Sequence, residues 1–127
     1  MIGELFYQRN LDAIEKYYAP TFVIHRPWGS SDFEGWKKDC ARILTSMPDY
    51  RFTVDDLLVA GEVEIVRGTT RGTFMGSFQG VSGAGKQVEM WSIEINRFEN
   101  GKIVETWIAY DRLGVMQQLG TIPTSTT

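Results

Sequence analysis

The residue best placed to do chemistry in this chain is Asp111, in the run I-V-E-T-W-I-A-Y-D-R-L-G-V-M-Q-Q-L-G at residues 103–120. Up to Tyr110 the run alternates as a strand does; behind Asp111 it takes the spacing of an apolar helix. Uninterrupted period two puts Ile103, Glu105, Trp107, Ala109 and Asp111 on one face. A carboxyl group beside tryptophan and other apolar side chains loses water, so its pKa rises and it can give and take protons near neutrality. An aspartate directly before R-L-G-V-M-Q-Q-L is also a good helix N-cap, a role that needs no chemistry. The single histidine, His25, lies in F-V-I-H-R-P-W-G. Alternation sets Val23, His25 and Pro27 on one side of that strand, Ile24 and Arg26 on the other. His25 is either a half-buried ring bonded to backbone or a pocket group suited to proton transfer. One histidine excludes a multi-histidine zinc site within one chain, and no metal site is expected.

Other features invite a chemical reading that physical detail weakens. G-V-S-G-A-G-K, residues 80–86, has the spacing of a phosphate-binding loop. Gln87 stands where a Ser or Thr would hold magnesium, and Q-V-E-M-W-S-I-E-I-N-R-F behind it reads as a strand, so no helix N-terminus offers free amides. A glycine-rich connection between strands is the better reading. Cys40 lies on the apolar stripe of a helix with no base beside it in sequence, as core filler does. Arg67, Thr69 and Arg71 share one strand face, read as solvated, with oxyanion contacts as the alternative. Trp91, Ile93 and Ile95 share a face with Glu89 and Arg97 and are expected as core or pocket wall. Asp55-Asp56 reads as a surface pair.

The elements that must position these residues change period half-way along. Leu11, Ile14 and Tyr18 share a helical face behind a plausible N-cap, Asn10, and Pro20 ends that helix. T-F-V-I-H-R-P is a short strand. Ser31 and Glu34 have capping-box spacing. Behind them Phe33, Trp36, Cys40, Ile43, Leu44 and Met47 mark a second helix, stopped at Met47-Pro48. From there strands are expected at 50–60, 63–74, 87–99 and 102–110, with tight turns at Gly61-Glu62 and Asn100-Gly101. Helices followed by hairpins give an α+β class. At 127 residues the chain is one domain, expected over 1–120 with a tail at 121–127. Apolar content of 43% and charged content of 23% are globular values. A net charge of −3 without a basic cluster argues against nucleic acid. No run of about 18–20 apolar residues offers a membrane span, and no basic segment with an apolar run follows Met1, so the expected location is the cytoplasm.

N-L-D-A-I-E-K-Y-Y-A-P-T-F-V-I-H, then G-T-F-M-G, then I-N-R-F-E-N-G-K-I-V-E-T-W-I-A-Y-D-R-L-G-V-M-Q-Q-L-G together resemble the SnoaL-like polyketide cyclase (ester cyclase) family. The resemblance covers nearly the whole chain, and its most specific part is E-x-W-x-x-x-D followed by Q-L-G. It implies the fold of nuclear transport factor 2, a cone of helices packed in a strongly curved, mostly antiparallel sheet around an internal pocket. It also implies homodimers or higher homo-oligomers through the outer sheet face. The activity it implies is an intramolecular aldol ring closure without metal, cofactor or covalent intermediate. Asp111 takes the place of the acid/base at the end of the last strand, and His25 and Trp107 fall where pocket residues are expected. The family's first helix is represented only by M-I-G-E-L-F-Y-Q-R, so one pocket wall is short or supplied differently. Arg26 stands where related ketosteroid isomerases carry their base, which tells against isomerase chemistry of that kind.

The expectation is therefore a cofactor-independent cyclase, or a related lyase or isomerase, acting on a hydrophobic carbonyl compound. Asp111 and His25 are its catalytic candidates; Trp28, Trp91, Trp107, Phe74 and Arg26 are its substrate contacts. Two alternatives stand beside it: a binding domain without chemistry, and an epoxide-hydrolase-like enzyme in which Asp111 would need a second aspartate.

Overall fold

The computed structural model describes residues 13–78, 81–82 and 85–120. Helix α1 (Ala13–Tyr17) passes directly into β1 (Tyr18–Arg26), and β2 (Gly29–Asp32) folds back on it. Helix α2 (Phe33–Ser46) follows, then the long strands β3 (Arg51–Ala60) and β4 (Val63–Phe74). Two short strands, β5 (Ser77–Phe78) and β6 (Val81–Ser82), precede β7 (Lys86–Glu99), β8 (Lys102–Tyr110) and α3 (Arg112–Gln118). The main sheet has the order β2-β1-β8-β7-β4-β3 and is curled but unclosed, its edges being β2 and β3. Only β1 and β8 run parallel; all its other neighbours are antiparallel. This is the α+β cone expected from the sequence.

Local physics sets the boundaries. The first helix was expected to reach Ala19, but the chain is extended from Tyr18, which pairs with Ile103. Proline disfavours helical geometry in the residue before it, so Pro20 ends the helix early. Asn10, its expected cap, lies outside the described residues. At α2 the cap is Asp32, not Ser31: its carboxylate accepts from the Gly35 amide at 2.9 Å. Trp36, Cys40 and Leu44 turn inward from α2 and join Ile14, Tyr18, Phe22, Ile24 and Ile103 in one core cluster. Burial pushes the Cys40 thiol well above its ordinary value, as for an inert core group. Asn100 and Gly101, with φ of 52° and 78°, make the tight turn of the β7–β8 hairpin.

One irregularity decides which side chains face in. Phe98 pairs with Ile103 but Arg97 pairs with Glu105, so Val104 is an extra residue, a bulge. Ile103 is inward, and beyond the bulge the inward residues are Thr106, Ile108 and Tyr110. Glu105, Trp107 and Ala109 face outward. The uninterrupted face expected for this strand is thus corrected: Ile103 does not share it. On β7 the inward stripe is Val88, Met90, Ser92, Glu94 and Asn96, while Trp91, Ile93 and Ile95 are exposed. That reverses the expectation of Trp91, Ile93 and Ile95 as core or pocket wall.

Candidate active site

A cavity of about 360 Å³ lies between the core cluster around Phe22 and a second one made of Met47, Phe74, Val88, Val115 and Leu119. That is within the range of ordinary small-molecule sites. Ile24, Trp36, Ile43, Phe74, Val88 and Ile108 make its walls largely apolar. Trp28 and Arg42, the exposed members of the lining, mark its opening. Trp28 meets Tyr110 edge-on at 5.2 Å between ring centres, and the Arg112 guanidinium lies 4.5 Å from the centre of the Trp28 ring. Such packing holds the indole at the edge of the cavity. Arg26 reaches in from β1 and pairs with Asp39 of α2, which also binds Arg42 at 3.0 Å.

The polar groups inside are few. Tyr50 and Thr70 pair through their hydroxyls at 3.3 Å, and burial pushes the Tyr50 hydroxyl above its usual value. Ser92 and Glu94 enter from β7. Glu94 is 3% exposed, between Val66 of β4 and Ile108 of β8 in the sheet register. One of its carboxyl oxygens, Oε1, has no hydrogen-bond partner among the described residues. Burial raises its pKa to about 7; a hydrogen bond from Asn96 works against the rise and the nearby charge of Glu64 adds to it. Asn96 also donates to Glu64 at 3.2 Å and accepts from Thr106 at 2.6 Å. The carboxyl is therefore anchored on one side and bare on the other.

Asp111 is not among the residues that line the cavity, although Tyr110 and Val115, close by in the chain, are. It is the N-cap of α3: its Oδ1 accepts from the Gly114 amide at 2.9 Å. A Cβ at position 114 would meet its Oδ2 at 2.1 Å, so glycine there leaves room for the carboxylate. Of the other expected site residues, the structure brings Arg26, Trp28 and Phe74 into the lining and leaves His25, Trp91 and Trp107 outside it. His25 stacks on Trp107 with ring centres 5.3 Å apart on the outer face. Its ring nitrogens meet Ser30 at 2.9 Å and Glu105 at 2.7 Å. The reason is strand phase: Ile24 and Arg26 take the inward side of β1, which sends His25 out. The His25 bond, ahead of Arg97, holds Glu105 below its ordinary value. Among the described residues no group of three or more His, Cys, Asp or Glu is placed to hold a metal ion.

A family model, SnoaL-like polyketide cyclase, matches residues 1–119. The chain belongs to the SnoaL-like polyketide cyclase family. No protein of curated function matches it. IdmH of Streptomyces antibioticus, provisionally named a polyketide cyclase, is 30% identical over 94% of this chain and 93% of its own, with a TM-score of 0.82. A protein of Acidithiobacillus ferrooxidans, provisionally named a polyketide cyclase, is 27% identical over 91% and 86%, with a TM-score of 0.76. AclR of Streptomyces galilaeus, provisionally named a hydroxylase, has a TM-score of 0.89 at 24% identity over 99% and 84%, a likeness that speaks for the fold alone.

Within this SnoaL-like frame, sequence reasoning passed over Glu94, Ser92, Thr70, Tyr50, Asp39 and Tyr110. A signal was present: in W-S-I-E-I-N the polar stripe Ser92, Glu94, Asn96 is continuous with Val88 and Met90 on one face. The facing stripe of β4 carries Gly68 and Gly72 beside Val66 and Thr70. At Gly68 a Cβ would stand 2.2 Å from the Phe52 ring, a close approach fit for an interior rather than a solvated face.

Proposed function

We propose that this chain is a cofactor-independent cyclase that closes a ring within a hydrophobic carbonyl compound of polyketide type. The observation that carries the reading is the 360 Å³ cavity, apolar in its walls and supplied with a few convergent polar groups, in a chain of this family. An enolate is delocalised over neighbouring carbonyls, so the protein has mainly to fold the substrate, exclude water and move protons. Asp111, the carboxylate of the family motif, is the proposed base. It stands where β8 ends, next in the chain to Tyr110 of the wall. The test uses 1-phenylhexane-1,5-dione, which closes to 3-phenylcyclohex-2-enone with loss of water. Wild-type protein is expected to accelerate closure, and Asp111→Asn to lower the rate on the order of a hundredfold while still binding the diketone. Full turnover by Asp111→Asn would remove Asp111 from this role; binding without any closure by wild type would leave a ligand-binding domain.

The same reading includes a homodimer through the outer sheet face. The register aligns Leu58, Ile65, Ile95 and Trp107 in one row across four strands, all of them exposed in the single chain, and Trp91 beside them is 52% exposed. A contiguous apolar face of this kind marks an interface. Sedimentation equilibrium is expected to give twice the chain mass for wild type and the single mass for Ile95→Glu. A wild-type monomer at micromolar concentration would contradict it.

A further inference from the structure

We propose that Glu94, which lines this cavity, is a catalytic residue beside the proposed base Asp111: the general acid that hydrogen-bonds the substrate's acceptor carbonyl and protonates its oxygen as the ring closes. The proposal rests on the cyclase reading and adds a group that the family motif does not contain.

Its position comes from strand phase. Glu94 lies on the inward stripe of β7, with Val66 and Ile108 beside it in the sheet and Ser92 and Asn96 above and below it along the strand. Nearly all of its surface is withdrawn from water, yet Oε1 has no partner among the described residues and the side chain lines the cavity. A buried polar atom left bare costs free energy unless a ligand completes it. The titratable group that acts on it is Glu64 from β4, and its own charge acts in turn on Tyr18 from β1 and Tyr50 ahead of β3. Burial, the largest cause in each case, holds both tyrosines above their ordinary values, so neither supplies a charge near neutrality. Arg26 and Asp39 share the cavity and are paired with each other. Withdrawn from water and next to another carboxylate, it holds its proton into the neutral range.

Two carboxyl groups in unlike environments divide an acid from a base. Asp111, tied to an amide of α3, takes a proton from the carbon next to one carbonyl and leaves an enolate. The enolate carbon forms the new C–C bond with the second carbonyl carbon, whose π pair moves to oxygen. Glu94 gives that oxygen its proton and becomes a carboxylate. Proton exchange with solvent after product leaves returns Glu94 to the acid and Asp111 to the base, so no oxidant or reductant is needed.

The test separates this proposal from the cyclase reading by using a readout that needs no turnover. 2-Tetralone is bound to the full chain, and its carbonyl stretch is followed by infrared spectroscopy. The expected result is a shift to lower frequency on binding, which disappears with a midpoint near pH 7 as Glu94 loses its proton. Glu94→Gln, of the same size, should bind the ketone within about threefold and show no such pH dependence. In diketone closure it should turn over on the order of a hundredfold more slowly, without the wild type's fall in rate above about pH 7. An unshifted carbonyl in wild type, or a Glu94→Gln variant that keeps both rate and pH profile, overturns the proposal. A shifted, titrating carbonyl without ring closure sinks the cyclase reading and leaves Glu94 as a hydrogen-bond donor to a bound ketone, which likewise ends its catalytic role. Should Glu94→Gln fail to fold, the wild-type titration decides alone: no midpoint between about pH 6 and 8 ends the proposal.

Discussion

Phe22→Ala is expected to lower the unfolding free energy by about 3–5 kcal/mol, read as a fall in the urea midpoint at unchanged slope. Phe22 is 1% exposed on the inward side of β1. It meets Tyr18 edge-on at 4.8 Å and Trp36 at 6.2 Å, so the ring joins the first strand to the second helix. Truncation leaves a void inside the buried core cluster that Phe22 shares with Tyr18, Ile24 and Trp36. Against the 5–15 kcal/mol usual for a domain, the loss is a large share. Trp28→Ala makes the contrast. Its indole is half-exposed at the cavity opening, so it should cost less than 1.5 kcal/mol or so and act chiefly on ligand affinity. Equal losses from the two would contradict the placement of the core.

The second large effect is on how stability depends on pH. Glu94 has its pKa raised from 4.5 to about 7 on folding. In the interval between those values the folded state holds a proton that the unfolded state has released. Stability from this group is therefore fully present below about pH 4.5, falls as pH rises through 7, and is flat above. At about 1.36 kcal/mol per pH unit the change is roughly 3 kcal/mol. The measurement is the difference between wild type and Glu94→Gln in denaturant unfolding from pH 4.5 to 8. Wild type should lose stability relative to the variant across that range, with most of the change between pH 5 and 7. A constant difference would show that Glu94 is not held away from water.

Which parts of this were readable beforehand follows from what each signal depends on. The ends of β4 and β8, the Asn100-Gly101 turn and the long helix over α2 are set by local chemistry, and the structure places them as expected. The α+β class followed from hairpins behind helices, and the cone from the family resemblance carried by residues spread along the chain. The facing of the strands was not readable, because side-chain direction on a sheet reverses with a single added residue. Val104 is that residue on β8, and nothing in its side chain announces a bulge. On β7 the usual rule failed for another reason. The more apolar stripe, Trp91, Ile93 and Ile95, faces out, on the face proposed for the dimer. The stripe with Ser92, Glu94 and Asn96 faces in, where a ligand would meet it. Hydrophobicity measures what must be kept from water, not by which partner. The Asp111 cap was read correctly as one of two roles, and its other role belongs to the proposal above.

The account turns on where a carbonyl compound sits. A crystal structure of the chain with 2-tetralone is predicted to show the ring between Trp36, Val88 and Ile108, with its oxygen about 2.6–3.2 Å from the Glu94 carboxyl. A ketone on the outer sheet face, or one in the cavity with its oxygen turned away from Glu94, would contradict it.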